Sequence, residues 1–222
     1  MLKLSQCPKN YTADLDKVYS PGYTVENVKN RLGSREEEIL QELERIDTGR
    51  LGIPVYISRA GSRAKDVLPT RKQMGKGSSP EQAKASALME LIERYSLFSF
   101  LSNPENFTTL NWTQAEKQFG EDLIPLSEIL YSVGENLSAD KARQVLDLVE
   151  WDFCPALDLH ENKTYYLPLN WFKKLNEFNG SSAGNTYEES ILQGGCELIE
   201  RHASAVADRR EPALPTIDPG SF

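Results

Sequence analysis

Cysteine and histidine are scarce in this chain, and their scarcity excludes several kinds of site. The 222 residues include three cysteines and two histidines. Cys7, Cys154 and Cys196 are far apart and form no Cys-x-x-Cys pair, so neither a zinc site nor a disulfide framework is indicated. His160 and His202 belong to no Ser/His/Asp or Cys/His set of the kind that nucleophilic catalysis requires.

Excess positive charge and long apolar segments are also lacking. The net charge of −8 argues against nonspecific binding of nucleic acid through a basic surface. No apolar run approaches the roughly 20 residues that a membrane-spanning helix needs, and the first residues lack the apolar centre of a signal peptide. We therefore expect a cytoplasmic protein with neither a nucleic-acid nor a membrane partner.

An internal repeat is the most informative feature that is present. Residues 77–94 return as residues 184–201, displaced by 107 positions without a gap, and both copies end in Glu-Leu-Ile-Glu-Arg. Each copy has the start of a helix: Ser79 and Thr186 are N-cap residues, and Gln82 and Glu189 follow in the capping-box position. Two copies of one polar stripe can face each other across a single site, so we expect both stripes to line one cavity.

Each predicted helix is mostly apolar and carries one narrow polar stripe, which is the inverse of an ordinary surface helix. At about 100° per residue, the stripes consist of Gln82, Ser86, Glu90 and Glu93 in the first copy and Glu189, Gln193, Glu197 and Glu200 in the second, with Arg94 and Arg201 at their edges. Such a stripe is either the solvated edge of a buried helix or a group of carboxylates that needs a cation. All-oxygen ligands suit Mg²⁺, which also binds substrate phosphates. Di-iron bundles use Glu-x-x-His pairs, but Arg or Glu stands where that histidine is required.

With the segments that precede them, these stripes resemble the two signatures of the YcaO family. The matching positions are Gly75-Lys76-Gly77 with Ser86-x-x-x-Glu90-x-x-Glu93-Arg94, and Asn179 to Thr186 with Glu189-x-x-x-Gln193-x-x-x-Glu197-x-x-Glu200-Arg201. The resemblance implies an α+β fold with mixed sheets that contains the two glutamate-bearing helices. No Walker phosphate loop is present, and the resemblance implies an ATP site built from glutamates and Mg²⁺ instead.

YcaO enzymes use ATP to phosphorylate the oxygen of a peptide backbone amide, for cyclodehydration to an azoline or for thioamidation, and one member is an accessory factor in methylthiolation of a ribosomal protein. The resemblance implies a peptide or protein substrate, and a partner protein that delivers substrate or sulfur; a homodimer is a further candidate. Two other functions stay open: a catalytically incomplete half-domain that binds a nucleotide or a partner, and a Mg²⁺-dependent phosphohydrolase.

The predicted site residues follow from the charge of the ligand, because ATP and glutamates can be neighbours only with Mg²⁺ between them. The metal-facing candidates are Glu90, Glu93, Glu197 and Glu200, with Glu189 next. Ser86 and Gln193 are neutral and are candidates to bind the nucleotide or to order metal-bound water. Arg94 and Arg201 either contact phosphate or pair with a glutamate of their own helix. No residue is assigned as the catalytic group.

The remaining sequence predicts an N-terminal region over residues 1–50 and a YcaO-like domain over residues 51–222. The family domain normally continues further, so we expect the domain to be truncated at its C-terminus and the chain to be inactive by itself. The predicted elements are a helix from Arg35 to Ile46, an edge strand over residues 52–58, a polar loop over residues 59–74, a helix from Pro80 to about Phe100, short helices that start near Thr113 and Ser138, and a hairpin of residues 149–159 with residues 164–168.

Overall fold

The first half of the chain places a long helix against a small sheet. The computed structural model describes residues 3–10, 17–210, 216, 218 and 220. In chain order, the elements are helix α1 (Pro21–Leu32), helix α2 (Glu36–Ile39), strands β1 (Leu40–Arg45) and β2 (Val55–Ala60), helix α3 (Ser62–Val67), strand β3 (Lys72–Lys76) and helix α4 (Pro80–Ser102). The strands form an antiparallel sheet in the order β1-β2-β3.

A second sheet and a second long helix follow. The elements are strand β4 (Thr108–Leu110), helices α5 (Trp112–Phe119), α6 (Leu126–Ser132) and α7 (Ala139–Leu146), strands β5 (Trp151–Asp158) and β6 (Lys163–Pro168), and helices α8 (Leu169–Asn176) and α9 (Tyr187–Arg210). The sheet is antiparallel with the order β4-β5-β6. The predicted α+β class is confirmed. In the part of the chain that the structure describes, no helix has both the length and the apolarity needed to cross a bilayer.

Helix α4 packs closely on the first sheet because small residues face each other there. Leu88 is fully buried, and the hydroxyl of Ser58 on β2 donates a hydrogen bond of 2.8 Å to the carbonyl oxygen of Ala87. A β carbon on Gly75 would overlap the amide nitrogen of Ala87, so β3 can approach the helix this closely only with glycine at that position. This packing fixes the orientation of the first polar stripe.

A separate apolar cluster holds the second sheet and its helices together. Trp112 and Phe153 are its most buried aromatic side chains, with ring centroids 6.2 Å apart. The cluster consists of Trp112, Ala115, Leu123, Ile129, Leu146, Trp151 and Phe153. The predicted hairpin and the helices predicted near Thr113 and Ser138 belong to this region and are confirmed, because β5 pairs with β6 and α5 and α7 lie where expected.

The helix predicted from Arg35 to Ile46 is wrong, because it ends at Ile39 and the chain continues as β1. Leu40 and Leu43 fit a helical spacing, and residues three apart point to opposite faces of a regular strand. An irregularity in the pairing between Leu40 and Glu42 places both leucines against buried clusters. Pairing with β2 therefore overrides the local helical pattern.

Two further predictions in this region are also wrong. The strand predicted over residues 52–58 begins only at Val55, after Pro54, and it lies at the centre of its sheet instead of at an edge. The segment predicted as a loop over residues 59–74 contains α3 and the start of β3. The inward positions of β3 are Gln73 and Gly75, so the strand lacks the apolar alternation by which strands are recognised.

Candidate functional site

The two copies of the repeat begin their helices in the same way. The hydroxyl of Ser79 accepts a hydrogen bond of 3.2 Å from the amide of Gln82, and the hydroxyl of Thr186 accepts one of 3.3 Å from the amide of Glu189. Each bond satisfies an amide that has no partner within the first helical turn. Both predicted N-caps are therefore confirmed.

In both helices, the side chain three residues after the N-cap binds the amide of the residue that precedes the N-cap. Gln82 Oε1 accepts from the amide of Ser78 at 2.6 Å, and Glu189 Oε2 accepts from the amide of Asn185 at 2.8 Å. A capping box would use the amide of the N-cap residue itself. Both copies of the repeat therefore share the same departure from a standard capping box.

A glycine two residues before each cap allows this contact. A β carbon on Gly77 would lie 2.7 Å from Cβ of Gln82, and one on Gly184 would lie 2.8 Å from Cβ of Glu189. Real β carbons essentially never come so close to another atom, so the main chain can fold over the capping side chain only at glycine. The two copies therefore share a close-packed entry to the helix as well as a polar stripe.

The polar stripes of α4 and α9 converge on one cavity of about 480 Å³. All nine predicted site residues line it: Ser86, Glu90, Glu93, Arg94, Glu189, Gln193, Glu197, Glu200 and Arg201. The prediction that both stripes line one cavity is confirmed. The ligand that each residue contacts stays a prediction.

Burial and mutual repulsion make this cavity unfavourable for bare carboxylates. Burial raises the pKa of Glu90 and Glu93 above the usual range of a carboxyl group, and the positive charge of Arg94 partly opposes the rise. A hydrogen bond from Ser181 favours the charged form of Glu93, whereas the charge of Glu197 on the opposite helix raises the pKa of Glu93 further. A cation between the two helices would relieve the repulsion and offset the loss of hydration.

The carboxylate of Glu189 is already occupied by hydrogen bonds. Its side chain is buried. Oε1 accepts from the amide of Val18 at 2.5 Å, and Oε2 accepts from the amide and the side chain of Asn185 at 2.8 and 3.0 Å. Among the five predicted metal-facing glutamates, Glu189 thus also holds two segments of the main chain together.

The carboxylates of the cavity do not form a closed metal site by themselves. Within the described ranges, no group of three or more His, Cys, Asp and Glu side chains could hold a metal ion by itself. Mg²⁺ is typically bound by one or two carboxylates and completes its octahedral shell with water and phosphate oxygens. Glu90, Glu93, Glu197 and Glu200 line the cavity, and their carboxylates are oxygen ligands of the kind that this mode of binding uses.

The sequence patterns missed the contribution of the N-terminal region. Lys17, Tyr19 and Thr24 line the cavity, and so does Lys76 at the end of β3. The hydroxyl of Thr24 donates a hydrogen bond of 3.0 Å to Asn185 Oδ1. Residues 17–20 have no periodic pattern, so only contacts across the fold bring them to the site. Lys76 had one signal, because it lies within the Gly-Lys-Gly stretch that precedes the first helix.

The fold and the cavity define a class of α+β protein in which two copies of a glutamate-bearing helix share one acidic site. The family model described as YcaO cyclodehydratase, ATP- and Mg²⁺-binding, matches residues 74–222. The chain therefore belongs to the YcaO family.

Relatives of known sequence include two that cover much of the chain. The ribosomal protein S12 methylthiotransferase accessory factor YcaO of Escherichia coli K12 is 32% identical over an alignment of 165 residues, and the match covers 64% of this chain and 27% of that protein. An uncharacterized protein of Methanothermobacter thermautotrophicus is 27% identical over an alignment of 214 residues, and the match covers 89% of this chain and 49% of that protein. The chain thus spans about half the length or less of these curated relatives.

Solved structures share the fold. YcaO from Methanopyrus kandleri bound with AMPPCP and Mg²⁺ superposes with a TM-score of 0.63 at 21% identity, over 96% of this chain and 52% of that one. A heterocyclase in complex with substrate and cofactor superposes with a TM-score of 0.66 at 23% identity, over 100% of this chain and 32% of that one. Because the sequence identities are this low, the two superpositions show a shared fold and nothing more.

Proposed function

We propose that this chain forms a Mg²⁺-dependent ATP site, and that ATP bound there phosphorylates the oxygen of a peptide backbone amide. The observation that carries the proposal is the convergence of Glu90 and Glu93 from α4 with Glu197 and Glu200 from α9 on one cavity. The description of the family model and the Mg²⁺ and AMPPCP bound by the Methanopyrus relative support the choice of ligand. The cavity volume of about 480 Å³ is within the usual range for small-molecule sites.

The charges of the cavity suit a nucleotide that arrives with its metal. When bound, Mg²⁺ would neutralise charge on the phosphates and assist transfer of the terminal phosphoryl group. Glu90 and Glu93 of α4, with Glu197 and Glu200 of α9, would hold the metal. Ser86 and Gln193 would hydrogen-bond to the nucleotide or to metal-bound water. The lysines Lys17 and Lys76 bring positive charge to the same lining. We propose that they offset the remaining phosphate charge.

The substrate that we propose is a peptide or protein. The heterocyclase relative is in complex with substrate, and the Escherichia coli relative is an accessory factor for modification of a ribosomal protein. Phosphorylation of an amide oxygen creates a leaving group at the amide carbon, which is the step that azoline formation and thioamide formation have in common. We propose that the residues lining the cavity of this chain assist that phosphorylation.

A second candidate function is a nucleotide-binding module that performs no chemistry by itself. It is favoured by the exposure of α9, where the side chains of Leu192 and Ile199 are 58% and 71% exposed. Phosphoryl transfer requires the acceptor to be held against the phosphate, and a misplacement of about 1 Å can cost on the order of a hundredfold in rate. Nucleotide binding without turnover in the presence of peptide would identify this case.

The proposal is tested by calorimetric titration with Mg·AMPPCP, which is not turned over. Glu90→Gln and Glu197→Gln should each weaken binding by about tenfold or more, because loss of even an outer-shell group costs roughly 10- to 100-fold in metal affinity. The fold should remain intact, since burial already disfavours the charge of Glu90. Circular dichroism would check the fold.

Glu135→Gln is the matched control, because it removes the charge of an exposed glutamate that does not line the cavity. It should leave the affinity unchanged, and EDTA should abolish binding to the wild type. Equal affinity in all variants, or binding that survives EDTA, would contradict the proposed site. Hydrolysis of simple phosphate esters without peptide would instead identify a phosphohydrolase.

A further inference from the structure

The loop from Phe178 to Asn185 lies between the two glutamate-bearing helices, and Arg94 connects it to α4. Nη1 of Arg94 donates a hydrogen bond of 3.2 Å to the hydroxyl of Ser181. That hydroxyl donates in turn to Oε1 of Glu93 at 3.0 Å, and Arg94 Nη1 lies 3.3 Å from the same oxygen. The serine hydroxyl therefore has both a donor and an acceptor on α4.

An aromatic contact strengthens this connection. The guanidinium carbon of Arg94 lies over the ring of Phe178, 4.2 Å from its centroid. The same ring packs edge-on against Phe98, one helical turn further along α4, with centroids 6.3 Å apart. Phe178 is thus placed between two side chains of α4. The planar guanidinium suits this place because it can stack on a ring and donate hydrogen bonds in its own plane.

The same loop is held by α9 on its other side. The amide of Gly180 donates a hydrogen bond of 3.3 Å to Oε2 of Glu197, and Asn185 binds Glu189. The loop therefore contacts the stripe glutamates of both helices. Through Ser181 and Gly180, the loop links Glu93 on α4 to Glu197 on α9.

The two arginines that end the repeats occupy different environments. The side chain of Arg94 is 18% exposed, and its guanidinium group is engaged by a hydroxyl, a carboxylate and a ring. The side chain of Arg201 is 56% exposed and lies 3.8 Å from Glu197 of its own helix. The shared sequence Glu-Leu-Ile-Glu-Arg therefore does not imply a shared role.

We propose that Arg94 is a positioning residue: it acts through Ser181 and Phe178 to set the place of the loop and of Glu93, without contact to the nucleotide. This inference rests on the proposed function, because Mg·ATP binding is the property that Arg94 would support. Of the two roles that the sequence leaves open for this arginine, the contacts support the role within the protein.

A double-mutant cycle separates the two roles. Arg94→Lys keeps a positive charge that could meet a phosphate, but it loses the planar stack on Phe178. If Arg94 acts through Ser181, then Arg94→Lys and Ser181→Ala should each weaken Mg·AMPPCP binding by about tenfold, and the double variant should be no weaker than the weaker single variant. The loss should be the same for Mg·ADP, which lacks the terminal phosphate, because Arg94 does not contact that phosphate. Losses that multiply in the double variant, or a loss that is larger for AMPPCP than for ADP, would overturn the proposal.

Thermal unfolding without nucleotide completes the test. A lower midpoint for Arg94→Lys with unchanged affinity would show a merely structural role and would also overturn the proposal. Arg143→Lys is the matched control, because Arg143 on α7 pairs with Glu116 on α5 at 2.9 Å and does not line the cavity. The affinity of this variant should equal that of the wild type. A wild-type chain that binds no Mg·AMPPCP would overturn the proposed function itself, whereas wild-type binding with independent losses would overturn only the role of Arg94.

Discussion

The first copy of the repeat is buried beneath a sheet, whereas the second copy is exposed along most of its apolar surface. The two share the N-cap hydrogen bond, the reach of the capping side chain to the residue before the cap, and the glycine that allows it. They differ in what covers them. Leu88 and Leu91 on α4 are fully buried, whereas Leu192 and Ile199 on α9 are exposed by more than half.

The difference follows from the elements that precede each helix. Strand β3 leads into α4 and packs against it through Gly75 and Ala87. A loop leads into α9, and Gly194, which occupies the position of Ala87 in the repeat, packs against the main chain of Gly180. The features that the two copies share therefore line the cavity or form the start of each helix. The apolar positions depend on the neighbours that each region provides.

The largest expected effect concerns this difference in burial. Leu88→Ala should destabilise the protein by about 2–5 kcal/mol, because it leaves a cavity beneath a fully buried side chain. Leu192→Ala should change the free energy of unfolding by no more than about 0.5 kcal/mol, because Leu192 is 58% exposed. Urea unfolding followed by far-ultraviolet circular dichroism measures both. Equal losses would mean that α9 is covered in solution and would remove the contrast between the copies.

The sequence predicts those parts of the fold that depend on residues close together along the chain. The helix starts at Ser79 and Thr186 depend on residues within four positions of each other, so their chemistry is visible in the sequence. The convergence of the stripes follows from duplication, because two copies of one surface can share a site. The structure thus brings together a site whose members lie more than a hundred residues apart.

The parts that long-range contacts decide could not be predicted in this way. Strand β1 has the apolar spacing of a helix, and only its pairing with β2 decides otherwise. Lys17 and Tyr19 reach the cavity because the amide of Val18 binds Glu189, a contact across 171 positions that no periodic pattern indicates. The place of Arg94 between Phe178 and Ser181 likewise depends on a loop that lies far away in the sequence.

Two adjacent glycines on α9 test how its entry loop is held. A β carbon on Gly194 would lie 2.6 Å from the carbonyl oxygen of Gly180 and 2.9 Å from the hydroxyl of Ser182, whereas one on Gly195 would meet nothing within 4 Å. Gly194→Ala should therefore destabilise the protein by about 1–3 kcal/mol. Gly195→Ala should stabilise it by up to about 1 kcal/mol, because alanine favours a helix. The two variants are matched in chemistry and differ only in contact.

Gly194→Ala and Gly195→Ala should also differ in their affinity for the nucleotide. The loop that Gly194 contacts also carries Ser181, so its displacement should weaken the affinity for Mg·AMPPCP, while Gly195→Ala should leave that affinity unchanged. Calorimetry and denaturant unfolding on both variants provide the measurement. A loss of stability in Gly195→Ala, or none in Gly194→Ala, would show that α9 and its loop pack differently from the structure.

The smallest expected effect concerns the N-terminal segment that docks on the second copy. The amide and hydroxyl of Ser5 donate hydrogen bonds of 2.7 and 3.0 Å to Oε1 of Glu188. The amide of Ser5 is the largest of the donors that lower the pKa of Glu188 from 4.5 to about 2; the amide of Glu188 itself comes next, followed by the hydroxyls of Ser5 and Thr186. The counterpart of Glu188 in the first copy is Glu81, which provides a matched control.

The lowered pKa fixes the sign of the pH dependence. A carboxyl group that is more acidic in the folded state stabilises that state above its unfolded pKa, and the contribution is lost as the pH falls from about 4.5 to about 2. Glu188→Gln should therefore lower the unfolding midpoint by on the order of 1 °C at pH 7, and the difference from the wild type should shrink at pH 3. Glu81→Gln should show no such convergence. The largest of the donors that lower this pKa is the amide of Ser5. If the difference in unfolding midpoint between the wild type and Glu188→Gln stays constant from pH 7 to pH 3, residues 3–10 do not hold α9 in solution. The contrast in exposure between the second copy and the first would then be larger than the structure shows.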